Sequence, residues 1–169
     1  MQGSVEQFLN QVARRGSWIG GGSVAALSAA LSAALLEKLV HQPAAVRRLY
    51  RIRRDCLSLV QQDADTFARV IRATRTKDRQ AFRRSLKTAI EVPCRVFAHA
   101  QALHAACRRA TRSINARFHS DLQCAGALAD AAGAASCAFI ETNLAWLGDR
   151  MYTRSIRGRL RSMRRTHAR

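Results

Sequence analysis

Three consecutive glycines, Gly20 to Gly22, lead directly into a segment of alanine, leucine and serine that carries no charge before Glu37. Alanines at positions 25, 29 and 33 share one helical row, and leucines at 27, 31 and 35 share another. A helix that is apolar or small on every side has to be enclosed, and its alanine rows let a neighbouring backbone approach closely. We therefore expect this helix, from Ser23 to His41, at the centre of a bundle or of a subunit interface.

The junction formed by Gly20, Gly21, Gly22 and Ser23 also has a functional interpretation. Glycines let the backbone come close to a ligand, and the free N–H groups at the start of a helix attract anionic or carbonyl groups. A flexible turn before a core helix explains the same residues, so both interpretations stay open at this stage.

The uncharged stretch 16–36 raises the question of a membrane span. Its glycines and serines make it a poor spanning segment. Arg14-Arg15 imitates a twin-arginine export signal, but the residues before it have the pattern of a folded amphipathic helix. We expect a cytoplasmic protein that does not enter a membrane.

The composition favours an all-α fold, because the 169 residues include only two prolines and few β-branched residues. We expect one domain over 1–169, a helical bundle with long central helices rich in small residues. Ser4 and Ser120 are each followed three residues later by glutamine and are predicted to open helices as capping boxes. Val92-Pro93 is predicted to break or kink a helix. The pattern predicts seven helices, at about 4–13, 23–41, 43–74, 78–91, 94–112, 120–144 and from 150 onward.

The charge balance is strongly basic, with 29 Lys and Arg against 11 Asp and Glu and a net charge of +18. Such a charge suggests that the protein binds nucleic acid. The arginines, however, are spread along the chain without aromatic stacking platforms or a recognition motif. We therefore expect non-specific binding of nucleic acid at most. The five cysteines are odd in number and form no CxxC pair, which indicates reduced thiols in the core. The histidines are scattered, so we expect no metal site.

Asp63 is the strongest candidate for a catalytic residue. It lies on the apolar stripe that runs through Leu49, Ile52, Cys56 and Val60 of a predicted helix. Burial raises the pKa of a carboxyl group toward the range that is useful for proton transfer near neutral pH. An ion pair with one of the many arginines would explain the same position, and both alternatives stay open.

A second candidate region lies around Asn115, which precedes Asp121 by six residues. A loop amide and an acid at a predicted helix start can contact a ligand. Helix capping explains these residue types equally well.

Several motifs together resemble the formiminotransferase-cyclodeaminase C-terminal domain and its free-standing relatives, the folate cyclodeaminase and cyclohydrolase family. The matching segments occur in the family's order over nearly the whole chain. They are GGGSVAAL (20–27), LV and DADTF (59–60 and 63–67), AIEVP (89–93), N-x(4)-SDL (115–122) and TNL (142–144). The chain departs from the family pattern at Ile19, Gln61, Ile114 and Phe139.

The resemblance implies an all-helical homodimer with an active-site cleft near the subunit interface. The substrate would be a reduced, polyglutamylated folate, and no cofactor beyond tetrahydrofolate itself would be needed. The expected reaction is that of a formimidoyltetrahydrofolate cyclodeaminase or a methenyltetrahydrofolate cyclohydrolase. Two alternatives remain, a degenerate family member that acts as an interaction module and a basic helical protein that binds nucleic acid.

The resemblance also implies roles for individual residues. Asp63 would be the proton shuttle. The substrate would be bound by the glycine junction and by polar residues of the later motifs: Gly20, Gly21, Gly22, Ser23, Asn115, Ser120, Asp121 and Asn143. Nearby arginines would attract the glutamate tail.

Overall fold

Helix α2 buries one side in the bundle, while Val24 and Leu31 on its other side stay exposed. In the computed structural model, which describes residues 4–168, α2 packs against α3, α4 and α5. The described residues contain no β-strand, and the all-α prediction is confirmed. Within this described range the six helices are α1 (Val5–Ala13), α2 (Gly21–Leu39), α3 (Pro43–Arg75), α4 (Arg79–Ala110), α5 (His119–Leu147) and α6 (Arg150–Ala168), with a 3-10 turn at Ala116–Phe118.

The central contact joins α2 and α5 through small residues. Ala26, Ala29 and Ala33 of α2 and Ala125 and Ala132 of α5 are fully buried. Short side chains allow the two backbones to approach closely. The hydroxyl of Ser32 donates to the carbonyl of Ala125 at 2.7 Å, which is a direct bond between the two helices.

Helix α4 runs without interruption through Pro93, so the prediction that Val92-Pro93 separates two helices is wrong. Proline removes the N–H that would bond to the carbonyl four residues earlier, here that of Ala89. The side-chain amide of Asn143 on α5 donates to this carbonyl at 3.0 Å. A neighbouring helix thus supplies the missing donor, and the chain continues in helical geometry.

The start of α5 also differs from the prediction. Helix α5 begins at His119, so Ser120 lies inside its first turn and is not a cap. Asn115 instead caps the preceding 3-10 turn, where its side chain accepts from the backbone N–H of Arg117 at 3.1 Å. The capping box at Ser4 is confirmed, because Ser4 and Gln7 exchange both side-chain-to-backbone bonds.

Two segments of the described chain, Gly21–Leu39 and Ala116–Leu147, are long and apolar enough to cross a membrane by length and composition. Core helices pass the same test, so this finding is weak support for a span. Half of the first segment is buried inside the bundle.

Candidate active site

A cavity of ≈ 240 Å³ opens between the start of α2, the middle of α3 and α4, and the second half of α5. It combines an apolar wall with a few polar groups, which is typical of small-molecule sites. The residues that line it are Ser17, Trp18, Gly20, Gly21, Gly22, Asp63, Thr66, Phe67, Val70, Ala89, Pro93, Phe139, Thr142, Asn143 and Trp146. We call this cavity the α2–α5 pocket.

Asp63 and Ser23 form the polar centre of the pocket. The Ser23 hydroxyl lies 2.9 Å from the Asp63 carboxylate oxygen Oδ2 and 2.9 Å from the carbonyl oxygen of Val60. A hydroxyl has one proton to donate. When Asp63 is ionised, Ser23 can donate to it; when Asp63 is protonated, the carboxyl can donate to Ser23, which then donates to Val60. The arrangement accommodates both protonation states, as a proton shuttle requires.

The carboxylate of Asp63 lies directly over the backbone of Gly22. A Cβ atom at position 22 would overlap the carboxylate oxygens. Glycine is needed here because it leaves the space that the carboxylate fills. The first turn of α2 and the middle of α3 are thereby held in close contact at the floor of the pocket.

Burial raises the pKa of the Asp63 carboxyl above its ordinary value, while bonds from the side chain and backbone of Ser23 act in the opposite direction. Among the ion pairs of residues 4–166, none involves Asp63. The arginine ion pair that the sequence left open is therefore absent from the described part of the chain. Asp63 is a desolvated acid that faces a cavity.

Four aromatic side chains form the walls of the pocket. Trp18 and Phe67 make an edge-to-face contact with ring centroids 6.1 Å apart. The ring of Phe139 packs on Gly21, where an added Cβ would lie 2.6 Å from the Cζ atom. Trp146 is 55% exposed at the mouth. Sequence reasoning did not assign Trp18, Phe67 or Trp146 to the site, although each stands within two to four residues of a motif glycine, acid or amide.

The predicted site residues fall into two groups. Gly20, Gly21, Gly22, Asp63 and Asn143 line the pocket, and Ser23 is buried directly beneath it. The structure thus brings together the residues of the first, second and last motifs.

Asn115, Ser120 and Asp121 lie elsewhere in the protomer. Asp121 pairs with Lys38 at 3.1 Å, and Lys38 stands 16 residues after Gly22 in α2, about 24 Å along the helix axis. Within one protomer these three residues do not reach the α2–α5 pocket.

A second cavity of ≈ 560 Å³ lies between α5 and α6. Its lining includes four arginines of one face of α6: Arg150, Arg154, Arg157 and Arg161. Arg157 pairs with Glu141 at the same place. We call this cavity the arginine cleft; it lies on a different face of α5 from the α2–α5 pocket.

None of the five cysteines lines the α2–α5 pocket. All five cysteines are free thiols, and Cys56, Cys94 and Cys107 are buried. Burial raises the pKa of the Cys56 thiol to about 12. Within the described residues, no three His, Cys, Asp or Glu side chains come together in a group that could hold a metal ion.

Comparison with known proteins gives three findings. The sequence profile of the family described as formiminotransferase-cyclodeaminase matches residues 4–162. A crystal structure of formiminotetrahydrofolate cyclodeaminase from Thermotoga maritima superimposes with a TM-score of 0.86 at 21% identity, covering 99% of this chain and 91% of that chain. At this identity the likeness establishes the fold. No curated protein shows significant sequence similarity to the chain.

Proposed function

Because the chain belongs to the formiminotransferase-cyclodeaminase family, we propose that it is a folate enzyme acting on the one-carbon unit that bridges two nitrogens of tetrahydrofolate. The observation that carries this proposal is the state of Asp63. Its carboxyl group is desolvated, has no ion-pair partner among the described residues, is hydrogen-bonded to Ser23 and faces an aromatic pocket of ≈ 240 Å³.

The reaction that this geometry supports best is cyclodeamination. The aniline nitrogen of the folate attacks the formimidoyl carbon on the pterin nitrogen, and a new carbon–nitrogen bond forms. The carbon–amine bond then breaks, ammonia leaves, and the methenyl bridge remains. One proton has to leave the attacking nitrogen and one has to reach the departing amine. A single carboxyl group with a raised pKa can perform both transfers in turn.

The walls of the pocket favour this reaction over a hydrolytic one. The pocket that Asp63 faces is lined with apolar surface by Trp18, Phe67, Phe139 and Trp146, which disfavours an ordered attacking water. The cyclohydrolase reaction is the second candidate, in which water adds to the methenyl carbon and one carbon–nitrogen bond opens to give formyltetrahydrofolate. Asp63 would then remove a proton from the attacking water.

The deciding experiment is a side-by-side assay of the purified protein with formimidoyl- and methenyl-tetrahydrofolate. Release of ammonia with growth of the methenyl absorbance would support cyclodeamination. Loss of that absorbance above the spontaneous rate, with formyltetrahydrofolate as product, would support hydration. If neither substrate turns over although reduced folate binds, the protein is a degenerate family member that acts as an interaction module.

We further propose that the working form is a homodimer. Helices α2 and α5 are rich in small and apolar residues, yet Val24 and Leu31 of α2 and an alanine row of α5 (127, 131, 134 and 138) remain exposed in the protomer. A second copy would cover these surfaces. It could also bring its own Asn115, Ser120 and Asp121 to the α2–α5 pocket, which one protomer does not do.

The glutamate tail of the substrate would be attracted by the basic surface outside the pocket. The chain carries a net charge of +18, and such attraction is screened by salt. Affinity should therefore rise with the number of tail glutamates and fall as salt is added. Equal affinity of mono- and polyglutamate forms at all salt concentrations would contradict this part of the proposal.

A second candidate function, polyanion binding, rests on the arginine cleft. Four arginines along one face of α6 could contact successive phosphates of a nucleic acid. Binding of duplex DNA that falls steeply with salt, shows no sequence preference and is weakened by Arg154→Ala would support it. DNA binding that is unchanged by this substitution would assign any affinity to the general positive charge.

A further inference from the structure

The α2–α5 pocket differs in charge from the rest of the molecule. About one residue in six of the chain is Lys or Arg, but none of the fifteen residues that line the pocket is basic. Its one charged group is the Asp63 carboxylate. The lining of the pocket therefore lacks the basic side chains that give the protein its net charge of +18.

The aromatic faces of the pocket are also left free by the chain's own cations. Within the described residues, basic side chains lie over the rings of Tyr50, Tyr152, Phe118 and Phe97 at 4.6–5.5 Å. All four of these rings lie outside the pocket lining. Trp18 and Phe67 remain 42% and 41% exposed at the pocket mouth.

From these two observations we propose that the α2–α5 pocket selects a planar, delocalised cation, which stacks against the aromatic walls with its charge directed at Asp63. The negative face of an aromatic ring attracts a cation, and the attraction grows when water is excluded. A carboxylate at the end of the same pocket adds to the preference, whereas an anionic ring system would meet like charge and lose its hydration. The pocket thus discriminates by charge as well as by shape.

The identity of the cation rests on the proposed function. A protonated formimidoyl group and the methenyl bridge are both amidinium cations, with the charge shared between two nitrogens and one carbon. Substrate and product of cyclodeamination would therefore carry the feature that the pocket selects. The anionic glutamate tail would lie outside it, where the basic side chains are.

The test compares three probes of similar size at about pH 8 in a salt concentration that screens the surface charge: 1-methylquinolinium, its neutral analogue 2-methylquinoline, and the anion 2-naphthoate. Affinities come from calorimetry. Quenching of intrinsic tryptophan fluorescence localises the binding, because both tryptophans of the chain, Trp18 and Trp146, line this pocket. We expect the cation to bind about tenfold more tightly than its neutral analogue, and the anion more weakly than either.

Phe67→Leu and Asp63→Asn should each reduce the ratio of cation to neutral affinity. Tyr50→Leu removes an exposed ring outside the pocket and is the matched control, which should keep the ratio. Because both probes are measured on the same sample, a partly unfolded variant leaves the ratio interpretable. Equal or tighter binding of the neutral probe, a ratio unchanged in Phe67→Leu and Asp63→Asn, or no binding of any probe would overturn the proposal.

The probe experiment tests cation selection separately from the proposed folate activity. Turnover of a folate together with no charge preference among the probes would reject cation selection and keep the enzyme. A clear cation preference together with no folate binding would keep the cation site and reject the folate.

Discussion

The side-chain amide of Asn143 donates to the carbonyl of Ala89 at 3.0 Å, the carbonyl that Pro93 leaves without a helical donor. This bond connects α5 to α4 at the wall of the α2–α5 pocket. It explains how a proline sits inside a helix of 32 residues without ending it. It also means that Asn143 contributes to the stability of the fold in addition to any contact with a ligand.

We predict that the cost of losing Asn143 depends on Pro93. Asn143→Leu should lower the free energy of unfolding by about 1–3 kcal/mol, because the Ala89 carbonyl loses its partner inside the protein. In a Pro93→Ala background the restored N–H can bond to Ala89, so the same substitution should cost less. A double-mutant cycle by chemical denaturation measures the difference. Strictly additive effects would contradict this account.

Asp63→Asn should reduce turnover by roughly 10²–10⁴, because the amide keeps the shape but has no titratable proton. The matched control is Asp65→Asn on the same helix. Asp65 is exposed and accepts a bond from Gln61 at 2.9 Å, so this variant should retain most activity. Steady-state kinetics and thermal melts of both proteins decide the matter. Near-normal turnover in Asp63→Asn would reject the shuttle role.

Gly22→Ala should be destabilising by about 1–3 kcal/mol, since the added methyl group overlaps the Asp63 carboxylate and one of the two has to move. Activity should fall with it, because the displaced group is the proposed shuttle. Gly126→Ala provides a control in a helix where nothing lies near the added atom, and it should leave stability unchanged or raise it by up to about 1 kcal/mol. Equal effects of the two substitutions would argue against the close approach.

The pH dependence of stability should carry a signature of Asp63. Its pKa is raised in the folded state by burial, so the folded protein holds this proton to higher pH than the unfolded chain does. The stabilising contribution is complete below the unfolded pKa and is lost as pH rises through the folded pKa. Relative to Asp63→Asn, the native protein should therefore lose stability over this window. Parallel denaturation curves of the two proteins at every pH would show that the pKa is not raised.

The protein should be a dimer at micromolar concentration, because one protomer leaves apolar faces of α2 and α5 uncovered. Light scattering measures the mass directly. Leu31→Glu, which places a charge on the exposed face of α2, should shift the equilibrium toward monomers. Tyr50→Glu, at an exposed position of α3, is the comparison. A monomeric native protein would refute the prediction.

Much of the site could be read from the sequence because its main signals are local. The apolar stripe of α3 and the position of Asp63 on it follow from helical periodicity, and the glycine junction before α2 is visible as three adjacent residues. The same local rules led to the error at Pro93. They take account of the N–H that proline lacks, but they cannot include the replacement donor Asn143, which lies 50 residues after Pro93 in the sequence.

The sequence by itself determined that the chain is helical, that α2 has to be enclosed and that Asp63 lies on a core-facing stripe, because each of these properties depends on neighbours within a few turns of helix. Only the tertiary structure decided what surrounds Asp63. The packing of α2, α3 and α5 placed Ser23 beneath the Asp63 carboxylate. It also brought aromatic rings from separate segments into the same pocket. Asn115 and Asp121 stayed at the far end of α2. Such contacts depend on distances between helices, which no local pattern encodes.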